Sequence, residues 1–188
     1  MTDDLPVVRA LRSLLAFLAR HGIDYMLLGG MAIRTLAIPR PTFDVDLQVA
    51  TDETGAKAFA QRAAQEGYSV DEPHIRGFVD RMQGLAKIAM SVPVGDRWVP
   101  VDVFLSGSEY QRAAFARRSR HETDLGPLWL ISVEDLLLHK LLADRPRDRA
   151  DVADLLLLAG PLDETYLRKW GERLGILARL VDARRTPS

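Results

Sequence analysis

Asp44 and Asp46 stand two residues apart in a segment where Phe43, Val45, Leu47 and Val49 alternate with Asp44, Asp46 and Gln48. That period of two is the signature of a β-strand. On a strand the two carboxylates share a face, about 6.5 to 7 Å apart along the chain. They could then converge on one metal ion, or on a pair of ions roughly 3.5 to 4 Å apart. A second alternating run covers residues 98–105, with Val99, Val101, Val103 and Leu105 on one face and Trp98, Pro100, Asp102 and Phe104 on the other. Neighbouring strands lie about 4.8 Å apart, so Asp102 joins the same cluster if the two strands pair. Three carboxylates on one face suit a hard, oxygen-seeking cation such as Mg²⁺. The plainer alternative is three surface aspartates on an amphipathic sheet.

Other residues add to this picture. Gly29-Gly30 follows the short apolar run of residues 25–28 and precedes a short helix that Pro39 and Pro41 stop. Missing side chains between a strand and a helix let an anion approach free backbone N–H groups, although the same pair also serves as an ordinary turn. Lys140 falls on the apolar face of a helix that starts near Val133, so its ammonium either finds an anion or snorkels to water. Asp148, Asp151 and Asp154 recur every third residue with Arg145, Arg147 and Arg149 between them, a run that reads equally as solvated ion pairs. The basic segment Arg117-Arg118-Ser119-Arg120-His121 could grip nucleic acid, but it lacks interleaved aromatics and reads better as an exposed helix end and loop.

These groups need a frame. The chain has 188 residues with 47% hydrophobic and 27% charged residues, the balance of a globular protein able to bury a core unaided. Twenty-five basic against 26 acidic side chains leave no global field to attract nucleic acid or membrane. With no cysteine, disulfides, thiol nucleophiles and Cys-based zinc sites are excluded. Walker A, dinucleotide-binding and nucleophile-elbow motifs are missing too, which argues against P-loop kinases, dehydrogenases and serine hydrolases. Met1-Thr2-Asp3-Asp4 is acidic where a leader peptide would be basic, and no long uncharged run follows, so a soluble cytoplasmic protein without membrane contact is expected. Residues 7–21 and 52–66 read as helices, residues 85–92 as a strand, Gly95-Asp96 as a turn and residues 108–117 as a helix. The rest of 68–98 carries no clear pattern. After a short apolar run at residues 128–131, three or four helices complete the chain.

The order strand, Gly-Gly, short helix, aspartate pair resembles the fingerprint of the nucleotidyltransferase superfamily, which has the DNA polymerase β-like fold. The likeness is closer to small bacterial nucleotidyltransferases of the abortive-infection toxin type. Their R-x-T-x-D-h-D-h segment is matched by Arg40, Thr42, Asp44 and Asp46. A later helical block is matched by Ser132-Val133-Glu134-Asp135-Leu136 through Lys140, then Arg145-Pro146-Arg147-Asp148 and Asp151. Arg147 departs from the lysine often found there, and the chain is short for one that grips a large acceptor.

The resemblance implies an α/β fold with a small mixed sheet flanked by helices. Residues 1–131 would form the nucleotidyltransferase core, and 132–188 a helical C-terminal region packed on it. It implies that Asp44, Asp46 and Asp102 hold two Mg²⁺ ions and are catalytic, with Asp102 also helping to deprotonate the acceptor. Gly29, Gly30, Arg40, Thr42 and Lys140 would bind the NTP, with Arg145, Asp148 and Asp151 supporting them from behind. The implied reaction moves NMP from an NTP to a hydroxyl, with RNA of tRNA type as acceptor, as in the toxin of a toxin–antitoxin or phage-defence pair with a cognate antitoxin protein as partner. An antibiotic-type small-molecule nucleotidyltransferase and a non-catalytic nucleotide-binding protein are the alternatives.

Overall fold

The computed structural model describes residues 5–185; the acidic first four residues, on which the leader-peptide expectation turned, lie outside them. In chain order the elements are α1 (Pro6–Arg20), β1 (Tyr25–Leu27), α2 (Gly29–Leu36), β2 (Val45–Val49), α3 (Glu53–Gln65), β3 (Ser69–Val70), α4 (Glu72–Ile75), β4 (Asp80–Met82), β5 (Leu85–Val94), β6 (Arg97–Leu105), α5 (Glu109–Ala116), β7 (Ser119–Thr123), β8 (Gly126–Leu130), α6 (Val133–Ala143), α7 (Pro146–Leu158), α8 (Glu164–Arg173) and α9 (Leu177–Arg185). The strands form one mixed sheet in the order β3-β5-β6-β2-β1-β8-β7, with β4 added alongside β5.

One face of the sheet is built by the aliphatic stripes of its central strands. Val45, Leu47 and Val49 of β2 and Val99, Val101, Val103 and Leu105 of β6 pack under α1 and α3. Helix α1 supplies Val8, Leu11, Leu14, Phe17 and Leu18 at helical spacing. Pro6 begins the helix, where the missing N–H costs nothing, and Gly22 at φ +61° lets the chain turn away at its end. Phe17 is fully buried, edge-on to Phe59 at 5.7 Å and to Tyr68 at 5.3 Å. Truncating such a ring to alanine costs about 3–5 kcal/mol.

The opposite face is covered as well. Met26, Leu28 and Phe104 meet Ile33 of α2, Tyr110 of α5, Leu136 to Leu138 of α6, Leu155 of α7 and Trp170 of α8 in a second apolar cluster. The face that carries Asp102 in the sequence pattern is therefore not an open polar surface. Gln48 is buried, donating to Gln111 O at 2.7 Å and Ser106 Oγ at 3.0 Å, and Phe104 is buried beside it. Asp46 and Asp102, farther along that face, stay partly accessible.

Two further expectations change. Strand β2 begins at Val45, so Asp44 precedes it and Phe43 is 82% exposed rather than part of the apolar stripe. The segment read as a basic loop continues into β7, paired antiparallel with β8, and its leading arginines have acidic partners within the chain. Arg117 pairs with Glu134 at 3.0 Å and lies over the Tyr166 ring at 4.0 Å, while Arg118 pairs with Asp24 at 3.4 Å. Among the described residues, no helix is long and apolar enough to cross a membrane.

Candidate active site

Strands β2 and β6 run parallel, and their register sets Asp46 directly opposite Asp102. The condition attached to Asp102 in the sequence is therefore met: two carboxylates stand on neighbouring strands at the same level of the sheet. Asp44 lies one step before β2, where its carboxylate accepts a hydrogen bond from Thr42 Oγ1 at 2.8 Å and lies 3.8 Å from Arg147.

Gly29 and Gly30 open α2 directly against these groups. A Cβ on Gly29 would lie 1.8 Å from Asp46 Oδ2, and one on Gly30 would lie 2.3 Å from Thr42 Oγ1. Gly29 also adopts φ +55°, a conformation costly for residues with a Cβ. The two glycines thus let Asp46 and Thr42 settle onto the start of the helix. Leu28 gives α2 no side-chain cap, and its first turn holds no acidic residue, so the orphan N–H groups expected at a helix start get no acceptor from the helix's own cap or first turn.

The Asp46 carboxylate takes part in no hydrogen bond or ion pair among the described residues. Burial raises its pKa, the negative charges of Asp44 and Asp102 raise it further, and Lys140 and Arg145 only partly offset them, leaving it pushed up to about 6. Asp102 is engaged instead, with Lys87 Nζ of β5 at 2.8 Å from its Oδ1. Among the described residues, no three His, Asp or Glu side chains are already gathered as a metal-holding group.

Lys140 is only 5% exposed and does not snorkel. Its ammonium lies 3.0 Å from Asp148 and 2.7 Å from Asp151, both on α7. Arg40 donates to both oxygens of Asp151 at 2.6 and 2.7 Å, and Arg145 donates to both oxygens of Asp148 at 2.6 and 3.2 Å. Burial pushes both α7 carboxyls up, but donors and neighbouring cations outweigh it and hold them below the usual carboxylate range. The network ties the loop before Asp44 to α6 and α7 and directs spare positive charge toward Asp46. Arg40, Lys140, Arg145, Asp148 and Asp151 thus stand together behind the three carboxylates. A cavity of about 480 Å³ among α6, α7 and α9 touches Lys140 and Asp148 but none of the three.

Lys87 escaped the sequence reading, although a signal was present. The turn at Gly95-Asp96 sets Val94 opposite Arg97; stepping back along the hairpin puts Ala89 opposite Asp102 and Lys87 one diagonal step away on the same face. Ser132 and Asp135 belong to the matched helical block, but their link to Tyr166 on α8 had no signal in the sequence; of the three, Asp135 is buried and the other two are partly so. Asp135 accepts from Ser132 Oγ at 2.8 Å and Tyr166 OH at 2.7 Å, which fixes α6 to α8.

No family model matches the chain, and no curated protein matches it. Solved structures do. A nucleotidyltransferase-like antigenic protein from Paracoccidioides brasiliensis superposes with a TM-score of 0.64 at 22% identity, over 96% of this chain and 89% of the other. The lincosamide antibiotic adenylyltransferase LnuA, with lincomycin bound, gives 0.53 at 17% identity over 80% and 97% of the two chains. The antibiotic-resistance factor ANT(2'')-Ia gives 0.51 at 18% identity over 94% and 91%. A glycine pair at a helix start, an aspartate over it and a second aspartate in register on the adjoining strand accord with these likenesses: the chain has the nucleotidyltransferase fold.

Proposed function

We propose that this protein is a metal-dependent nucleotidyltransferase that moves NMP from an NTP to the hydroxyl of a small organic acceptor. The observation that carries this reading is the in-register pair Asp46–Asp102 beside the glycine-rich start of α2. The donor set fits a hard divalent cation: the groups are oxygen donors, their charges crowd one another, and the Asp46 carboxylate makes no hydrogen bond or ion pair among the described residues. Asp44, Asp46 and Asp102 would hold Mg²⁺, two ions in the active complex. When bound, the metal supplies charge neutralisation at the phosphate oxygens.

The chain's own groups do the rest. The free N–H groups at the start of α2 receive phosphate oxygens, and the glycines let them come close. Asp102 would accept the proton of the acceptor hydroxyl as it attacks the α-phosphorus and pyrophosphate leaves. Arg40, Lys140 and Arg145 hold the loop carrying Thr42 and Asp44 and keep positive charge behind the site.

A small acceptor is favoured over RNA by one observation. Arg117 and Arg118, which would begin a phosphate-gripping track, are already paired with acidic side chains, Arg117 with Glu134 and Asp135 and Arg118 with Asp24. The likeness to two antibiotic-directed proteins points the same way by analogy. The toxin reading and a cognate antitoxin gain no support from these contacts.

The test incubates purified protein with Mg²⁺ and each α-labelled NTP, against a panel of lincosamides and aminoglycosides and, separately, total cellular RNA, with Asp46→Ala as control. Label on a small molecule with wild type only supports the reading. Label on RNA alone keeps the transferase and overturns the acceptor. No transfer to any acceptor, with nucleotide still bound, identifies a non-catalytic nucleotide-binding protein.

A further inference from the structure

We infer that Lys87 is a resident counter-ion that occupies the charge position of the divalent cation at Asp102 and must leave that carboxylate when the ion binds. This inference rests on the metal-dependent reading above and adds a residue that neither the motifs nor the fold likeness assigns.

The geometry is specific. Ala89 faces Asp102 across the β5–β6 pair, and its methyl group leaves room in front of the carboxylate. Lys87, one diagonal step along the same face, reaches into that room and places Nζ 2.8 Å from Asp102 Oδ1. The ammonium is largely shielded, with 18% of the side chain exposed, and Asp102 is its one ion-pair partner among the described residues. Across the β2–β6 pair, Asp46 faces the same spot with no donor of its own. The arrangement is therefore lopsided: one carboxylate carries a cation supplied by the protein, and its in-register neighbour carries none.

A divalent ion held by Asp46 and Asp102 would compete with that ammonium for Asp102, because two cations at one carboxylate repel each other strongly. Lysine suits such a displaceable role better than arginine's rigid fork, because its flexible stem can carry the charge to another anion. An incoming triphosphate provides one. Metal loading is thereby coupled to nucleotide arrival.

The experiment titrates the nucleotide-free, full-length protein with Mn²⁺, reading free ion by electron paramagnetic resonance. Wild type, Lys87→Met, Lys87→Arg, Asp102→Asn and the Lys87→Met/Asp102→Asn double variant are compared, each checked for folding by circular dichroism. Lys87→Met should bind Mn²⁺ on the order of tenfold more tightly than wild type. Lys87→Arg should stay near wild type, and the gain should vanish in the Asp102→Asn background. Binding by wild type with no gain in Lys87→Met, or a gain that persists without Asp102, overturns the Lys87 assignment and leaves the metal reading standing. Absence of Mn²⁺ binding in every variant overturns the metal reading and this inference with it.

Discussion

The carboxylate of Asp46 occupies the space that a side chain at Gly29 would need: a Cβ there would lie 1.8 Å from Asp46 Oδ2 and 2.6 Å from its Cγ. Gly29→Ala therefore has two costs, a clash with a group held by a central strand and a strained φ of +55°. The expected loss is about 2–3 kcal/mol in urea unfolding, with transfer activity falling by more than stability accounts for, because Asp46 must move. Wild-type stability and turnover in Gly29→Ala would show that the contact is unimportant.

Asp46 itself opposes folding at neutral pH. Its folded pKa of about 6 lies above the ordinary 3.8, so the folded state holds the proton more tightly. Stability is then greatest below the unfolded value and is lost as pH rises through about 6. Asp46→Asn should accordingly abolish transfer yet stabilise the metal-free protein by about 2 kcal/mol at pH 7.5, read from the urea midpoint. A destabilised Asp46→Asn protein would contradict the charge-crowding account.

Much of this site was legible because strand alternation is a strong signal where one face is purely aliphatic. Val99, Val101, Val103 and Leu105 fixed the side on which Asp102 had to lie. The sequence was less informative where a second layer of helices covers the other face: Gln48 and Phe104 share a face with Asp102, but local pattern cannot show that α5 and α6 bury them. Edge strands were hardest. Strands β3 and β4 have two and three residues, too few for a period, and β7 reads Ser-Arg-His-Glu-Thr because an edge with solvent beside it imposes little apolar selection. Lys87 required the hairpin register rather than any motif, and the partners of Lys140 required knowing that α7 folds back along α6.

Lys140 joins two carboxylates that are otherwise held only by half-buried arginines. Lys140→Met should cost about 3 kcal/mol, since it leaves Asp148 and Asp151 buried with less compensation. Arg40→Gln, at a side chain 27% exposed, should cost about 1–2 kcal/mol. If Lys140 acts through this network, the loss appears in the unfolding midpoint while the KM for NTP of the folded protein stays near wild type. A raised KM at unchanged stability would instead place Lys140 against the phosphates.

His139 titrates against the grain of Asp46. The ring lies in the second apolar cluster, 5.8 Å from Phe104 and 5.6 Å from Tyr110, and its Nε2 has no hydrogen-bond partner among the described residues. Burial, then the charge of Lys140, lowers its pKa from 6.5 to about 4. The unfolded state therefore binds the extra proton between these values, and His139 withdraws stability as pH falls through that window, by up to about 1.4 kcal/mol per unit. Asp46 acts in the opposite sense between about 6 and 3.8, gaining stability on acidification. The two slopes overlap between about pH 6 and 4 and oppose each other there in the wild type. His139→Leu should then become more stable as pH falls across that range, and Asp46→Asn less stable, in urea midpoints of the metal-free protein. Parallel pH profiles for wild type and both variants would show that neither group titrates as its surroundings require.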